Sequence, residues 1–304
     1  MLVTGVLVAV AAAASNAVGS VLMRSASRHR DPAAGRRQAL VALLRRPAWS
    51  AGIAAHVLGF VLQGVALGLT LLTVVQPVLV VELPFTLVLS ALALRTPMSR
   101  RAWVAVAAMA GGVAVFLVCL VPEGGDPGAT TSTAWLVGTA VVLVLLGVLV
   151  LLGRAGRTRR RALWFGIATG VTYGYNAALL AALGPVWAEG WTGLLTAWQT
   201  YGVLVGGTVS FVFLQQALQA GDLIWAQPGI TLANPLVAIV WGFVVFGERV
   251  AFDVWLLGAA AGAAGIVAGT VVLSRVALPA VAEEAEEGEE AEEADAPSCP
   301  GPER

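Results

Sequence analysis

Nine long apolar runs, each near the length of a bilayer crossing, constrain this chain more than any other feature. They lie at about 2–23, 48–69, 72–94, 102–121, 134–153, 162–184, 196–217, 223–246 and 254–274. About 20 helical residues span the roughly 30 Å hydrocarbon layer, and backbone in lipid must satisfy its own hydrogen bonds. The runs therefore predict an all-α polytopic membrane protein with about nine transmembrane helices. With 58% hydrophobic and 12% charged residues, the chain is too apolar for an ordinary soluble domain. No positive segment precedes Leu2–Met23, which reads as a first span and not as a cleaved signal.

Charge placement orients these spans. The loops at 24–46, 95–101 and 154–161 carry Arg24, Arg28, Arg30, Arg36, Arg37, Arg45, Arg46, Arg95, Arg100, Arg101, Arg154, Arg157, Arg159, Arg160 and Arg161. They are the first, third and fifth loops, so they share one side, which the positive-inside rule makes cytoplasmic. The loops at 122–133 and 185–195 carry acids and no base. The N-terminus is thus expected outside and the C-terminal tail inside. From Val276 onward ten acids face one arginine, a net −9, and this acidic tail (276–304) is expected to be disordered. The basic loop GRRQALVALLRR reads as a solvated cytoplasmic loop, with a helix lying on the anionic leaflet as the alternative. Cys119 and Cys299 make no disulfide framework.

The third run, VVQPVLVVELPFTLVLSALAL from Val74 to Leu94, carries Gln76, Pro77, Glu82 and Pro84. Each proline removes a donor and frees a carbonyl one turn earlier. A carboxylate at membrane depth is costly and normally faces a protein interior or a wet cavity. The pattern returns at AQPGITLANPLVAIVWGFVVF, where Gln227, Pro228 and Pro235 each follow Gln76, Pro77 and Pro84 by 151 positions. At the same offset Phe60 meets Phe211, and Gly19 meets Gly170. This is an internal duplication. Five helices separate the two starts, so the second copy is inserted upside down. The expected layout is two inverted four-helix repeats (1–121 and 162–275) joined by a connector with the fifth span (122–161). Inverted repeats with interrupted helices meeting near the midplane recur in secondary transporters. The helix-break positions are Pro77, Pro84, Pro228 and Pro235.

Polar groups at membrane depth need partners, and those sharing a helix face are informative. His56 and Gln63 lie seven apart with Gly59 between them, and Thr169, Tyr173 and Asn176 form an i, i+4, i+7 stripe. Gln227, Thr231 and Asn234 form another. Ser15, Asn16, Gln199, Ser210, Gln215 and Gln216 add further polar sites in spans one and seven. The candidate substrate or coupling residues are therefore Glu82, Gln76, Gln227, Thr231, Asn234, His56, Gln63, Tyr173 and Asn176. Glu82 and His56 are the strongly titratable side chains well inside the spans, so a proton-coupled cycle would use them. Gly258, Gly262, Gly265 and Gly269 form a small-residue packing face, inside the monomer or between copies of a homo-oligomer. No clustered nucleophile and base, and no GxxxxGK[ST] loop, is present, which argues against a membrane enzyme or an ATP-driven pump. No cofactor and no nucleic acid is called for, and the ligands of any metal are unknown.

On these residues the chain resembles the drug/metabolite transporter (EamA-like) superfamily. The resemblance rests on QALQAGDLIWAQPGITLANPLVAIVWGFVVFGERV and VALGLTLLTVVQPVLVVELPFTLVLSALAL. Gly247, Glu248 and Arg249 match that family's turn at the end of this helix, whereas the first copy has Thr96, Pro97 and Met98. It implies a multi-pass transporter in the cytoplasmic membrane, moving a small metabolite or drug-like solute by alternating access. Nine spans with an outside N-terminus are also similar to the NIPA-like magnesium transporter branch, which implies a divalent cation as the alternative substrate. A magnesium site would want several hard oxygen ligands, of which Glu82, Asn234 and freed carbonyls are a thin set.

Overall fold

The computed structural model describes residues 2–27, 46–94, 98–120, 122–156, 158–187, 190–220, 223–250 and 255–273. The acidic tail, most of the first basic loop and Cys299 lie outside the described residues. In chain order the helices are α1 (Leu2–Ser27), α2 (Pro47–Leu69), α3 (Leu72–Leu79), α4 (Glu82–Leu94), α5 (Arg100–Cys119), α6 (Ser132–Ala155), α7 (Thr158–Trp187), α8 (Gly190–Thr196), α9 (Trp198–Gln219) and α10 (Leu223–Val244). A last helix, α11, covers Trp255–Leu273. Two short strands, β1 (Pro122–Gly124) and β2 (Glu248–Val250), pair antiparallel between distant loops.

Helix starts follow local chemistry. Pro47 opens α2, where its missing N–H costs nothing. Ser99 accepts from the Ala102 N–H at 3.2 Å and Thr131 from the Ala134 N–H at 3.3 Å, capping α5 and α6. Among the described residues, seven helical segments are long and apolar enough to cross a membrane, counting α3 and α4 as one interrupted crossing. Of the nine expected runs, those in α7 and α10 fall outside that set; the apolar part of α10 is Gly229–Val244. Leu136, Val137, Val141, Leu143 and Val144 of α6 are exposed, as a lipid-facing surface requires. The chain is an all-α, multi-pass membrane protein.

The expected break in the third run is present, but its counterpart is not. After Pro77 the helix tightens: the Val80 N–H donates to Pro77 at 3.3 Å and the Val81 N–H to Val78 at 3.0 Å, both one residue short of α-helical spacing. Glu82 then opens α4, and Pro84 sits in its first turn, where no helical N–H is lost. By contrast α10 runs without interruption through Pro228 and Pro235, so reading those two prolines as breaks is corrected. The packing explains the difference. Gly166, Gly170 and Gly174 of α7 let α10 lie flush on its backbone; a Cβ on them would sit 2.5, 2.7 and 2.5 Å from the carbonyls of Ala226, Ile230 and Asn234. A helix clamped along its length absorbs a proline as a local defect.

The glycine face of the last span resolves as packing inside the monomer. Gly112 of α5 and Gly262 of α11 bring the two backbones together, with a Cβ on Gly262 only 2.6 Å from the Phe116 nitrogen. Trp198, Trp241 and Phe246 pack around Trp135 at 5.1–5.8 Å, edge-on or tilted, and join α6, α9 and α10.

One end of the bundle is tied across the two halves. Gly247, at φ +70°, turns the chain out of α10 into β2, delivering Glu248 to the start of α3. Its carboxylate accepts from the Leu72 N–H at 2.9 Å and the Thr73 N–H at 3.2 Å, filling the orphan donors of that helix. Glu248 lies past the end of α10 and is 4% exposed; burial pushes its carboxyl above the usual range, opposed by these backbone bonds. Removing it leaves two N–H groups buried where water cannot replace the acceptor. Glu248→Ala is therefore expected to destabilise the protein by about 2–4 kcal/mol, with Glu248→Gln intermediate, because each such donor costs about 1–3 kcal/mol. Thermal midpoints in detergent check the order; an unchanged midpoint for the alanine variant would show the tie to be dispensable.

Candidate functional site

Helices α1, α2, α7, α9 and α10 and the α3–α4 break line a partly open cavity of about 460 Å³. Its polar lining is Asn16, Gln63, Gln76, Glu82, Tyr173, Asn176, Thr231 and Asn234. Phe60, Leu79, Leu83, Leu180, Ile230 and Pro235 supply apolar wall. No arginine or histidine is among the lining residues.

The break sets the position of the acid. Because α3 ends at Leu79, Glu82 begins a new helix and its side chain meets α1, where the Asn16 Nδ2 donates to the Glu82 Oε2 at 3.2 Å. Asn16 reaches this position by lying across α2 at Gly59, where a Cβ would overlap its Oδ1. The device recurs on the opposite wall: Asn176 lies against Gly206 of α9 in the same way. Thr86 Oγ1 donates to the Glu82 carbonyl at 2.8 Å and steadies the first turn of α4.

Several lining groups have no partner within the described protein. Gln76 is 1% exposed, yet neither its Oε1 nor its Nε2 is hydrogen-bonded. The Asn176 and Asn234 Oδ1 atoms are in the same condition. Buried polar groups are almost always satisfied, so three amides with unbonded atoms beside one cavity are an unusual concentration of polar groups.

Seven of the nine sequence-selected residues meet here: Glu82, Gln76, Gln63, Tyr173, Asn176, Thr231 and Asn234. His56 does not; it packs against Gly19 at the α1–α2 contact. The side chains of Gln227 and Pro228 lie outside the described residues. Pro77 and Pro84 are buried beside the break, and Pro235 lines the cavity. Thr169 turns back to its own helix, donating to the Phe165 carbonyl at 2.8 Å, and Ser15 donates to the Ala55 carbonyl at 2.8 Å. Gln216 accepts from Arg161 at 3.3 Å, away from the cavity. Gln199 borders a separate space of about 610 Å³ with Trp135, Thr139, Pro185 and Trp198. Sequence reasoning missed the pairing of Asn16 with Glu82 and the wall role of Phe60. The signal for the first was Gly59, a small residue on the face opposite an asparagine.

Comparison with known proteins finds an uncharacterized protein of Corynebacterium glutamicum that is 33% identical over 248 residues, covering 80% of this chain and 85% of that relative. No protein-family model matches the chain. No solved structure matches it.

The Asn16–Gly59 contact generates a double-mutant test. Gly59→Ala forces Asn16 off Glu82 and is expected to cost about 1–3 kcal/mol, the scale of overpacking plus a lost buried bond. In an Asn16→Ala background the same change has room and should cost less than half as much. Additive losses in thermal midpoint would show that Gly59 does not position Asn16.

Proposed function

The chain belongs to the family of that Corynebacterium glutamicum protein, and we propose that it is a secondary transporter of the drug/metabolite type, moving a small solute across the cytoplasmic membrane by alternating access. One observation carries this reading: a cavity inside the membrane-crossing bundle, ringed by unpartnered amides and holding a single carboxyl. A packing defect would be apolar and dry, whereas this lining carries amides, hydroxyls and a carboxyl. Glu82 is the coupling group, exchanging a proton as the solute enters or leaves.

Further features support the inverted-repeat layout that alternating access uses. Helices α3 and α10 each carry a Gln-Pro pair, at Gln76-Pro77 and Gln227-Pro228, 151 positions apart. The α2–α3 turn, β1 and β2 meet at one end, as nine crossings require. In that layout α7 and α10 are the sixth and eighth spans, and the arginine-rich loops face the cytoplasm. A second reading, a divalent-cation pathway of NIPA type, is favoured by one feature: Glu82 and the open amide oxygens are hard ligands.

The test uses full-length protein in liposomes with an imposed pH gradient. Vesicles are given a defined mixture of amino acids, amines, sugars, nucleosides and Mg²⁺, and accumulated solutes are read by mass spectrometry. Wild type is expected to concentrate one class at least tenfold over protein-free vesicles. Glu82→Gln, folded and inserted, should lose gradient-driven accumulation. Unchanged proton-driven uptake by that variant removes Glu82 from coupling, and no accumulation of any component sinks the transporter reading.

A further inference from the structure

We propose that the surface cleft where α5 and α10 end and α11 begins seats a phospholipid, with one acyl chain in the cleft and the phosphate on Arg249. The inference uses none of the polar cavity's residues and is independent of what that cavity carries.

The cleft, about 660 Å³, is built from helix ends. Phe116 and Leu120 supply its α5 side, and Ile239 and Phe243 its α10 side. On α11, Ala259, Ala260 and Ala263 share a face, and their small side chains leave the space open. These residues lie within about two turns of their helix ends, so the cleft starts at the end of the bundle and runs inward. From Leu256 to Ala263 it descends roughly 10 Å, about a third of the hydrocarbon layer. Behind it Gly262 meets Gly112 and Gly258 meets Cys119, so α5 and α11 cannot close it by approaching further.

Its walls are apolar, and the two charged groups that line it, Glu248 and Arg249, both sit at its outer end. Glu248 is committed to the Leu72 and Thr73 N–H groups. Arg249 is exposed, and the loop at 122–133 and the α2–α3 turn that meet it here carry no other base. Glu123 is its cross-strand partner, but a guanidinium has five donors and one carboxylate takes two of them. An apolar slot with a permanent cation at its mouth, where the bundle meets the membrane surface, complements a fatty chain headed by a phosphate. A neutral lipid would leave Arg249 unused, and a free phosphate would leave the apolar walls uncovered.

The experiment is photo-crosslinking of full-length protein in detergent with a phosphatidylglycerol that carries a diazirine on one acyl chain, mapped by peptide mass spectrometry. Label is expected on 116–120 and 256–263 at least fivefold above any other apolar segment. Unlabelled phosphatidylglycerol should compete, while diacylglycerol of the same chains, oleate and glycerol phosphate should each compete at least tenfold less well. Arg249→Gln, which removes the cation, and Ala260→Phe, which fills the cleft, should each cut the labelling at least fivefold. Both positions are exposed, so neither change disturbs the core. Arg100→Gln, at the opposite end of α5, should leave it unchanged. Label spread evenly over the lipid-facing helices, equal competition by diacylglycerol or oleate, or full labelling of Arg249→Gln overturns the assignment. So does protection of the cleft that is relieved on dilution, the sign of a second copy seated there. Absence of flux in liposomes would sink the transporter reading and leave this result standing.

Discussion

The break between α3 and α4 is the constraint on which the cavity depends, and it survives because its loose ends are held. Backbone freed from a helix inside a membrane must find partners within the protein. The start of α3 finds them in Glu248, which arrives from the far half of the chain on a two-stranded connection. The break itself is closed by tight turns at Val80 and Val81, and the new helix opens on Glu82, pinned by Asn16. Remove either tie and the interruption has no reason to stay where it is.

The two halves share a sequence pattern but solve packing differently. In the second half α7 and α10 meet backbone to backbone along Gly166, Gly170 and Gly174, and a helix with two prolines stays whole. In the first half α1 meets α2 closely, through Gly19 and Gly52, and also packs along the α3–α4 segment, where Asn16 bonds Glu82. The two proline-bearing segments thus sit against different neighbours, and one breaks while the other stays whole.

How far the sequence carried this picture follows from the physics of each element. Apolar length and the prolines of the third run announce crossings and a break, because lipid imposes them on any chain. Polar spacing on single helices selected Gln63, Tyr173, Asn176, Thr231 and Asn234, since residues three, four or seven apart share a face. It failed for His56, which shares a face with Gln63 yet lies at a level where α1 covers it. It failed also for Pro228 and Pro235, because whether a proline interrupts a helix depends on the neighbour clamping it. The Glu248 tie was invisible for a simpler reason. It joins residues about 175 positions apart through a carboxylate and backbone, leaving no periodic trace.

That tie also fixes how its end of the bundle can separate. Dry, it exchanges one carboxylate for two amide donors at the cost of burying a charge. Parted, all three groups are stranded unless water floods in to take their place. Separation at this end would therefore require water to take up all three groups together.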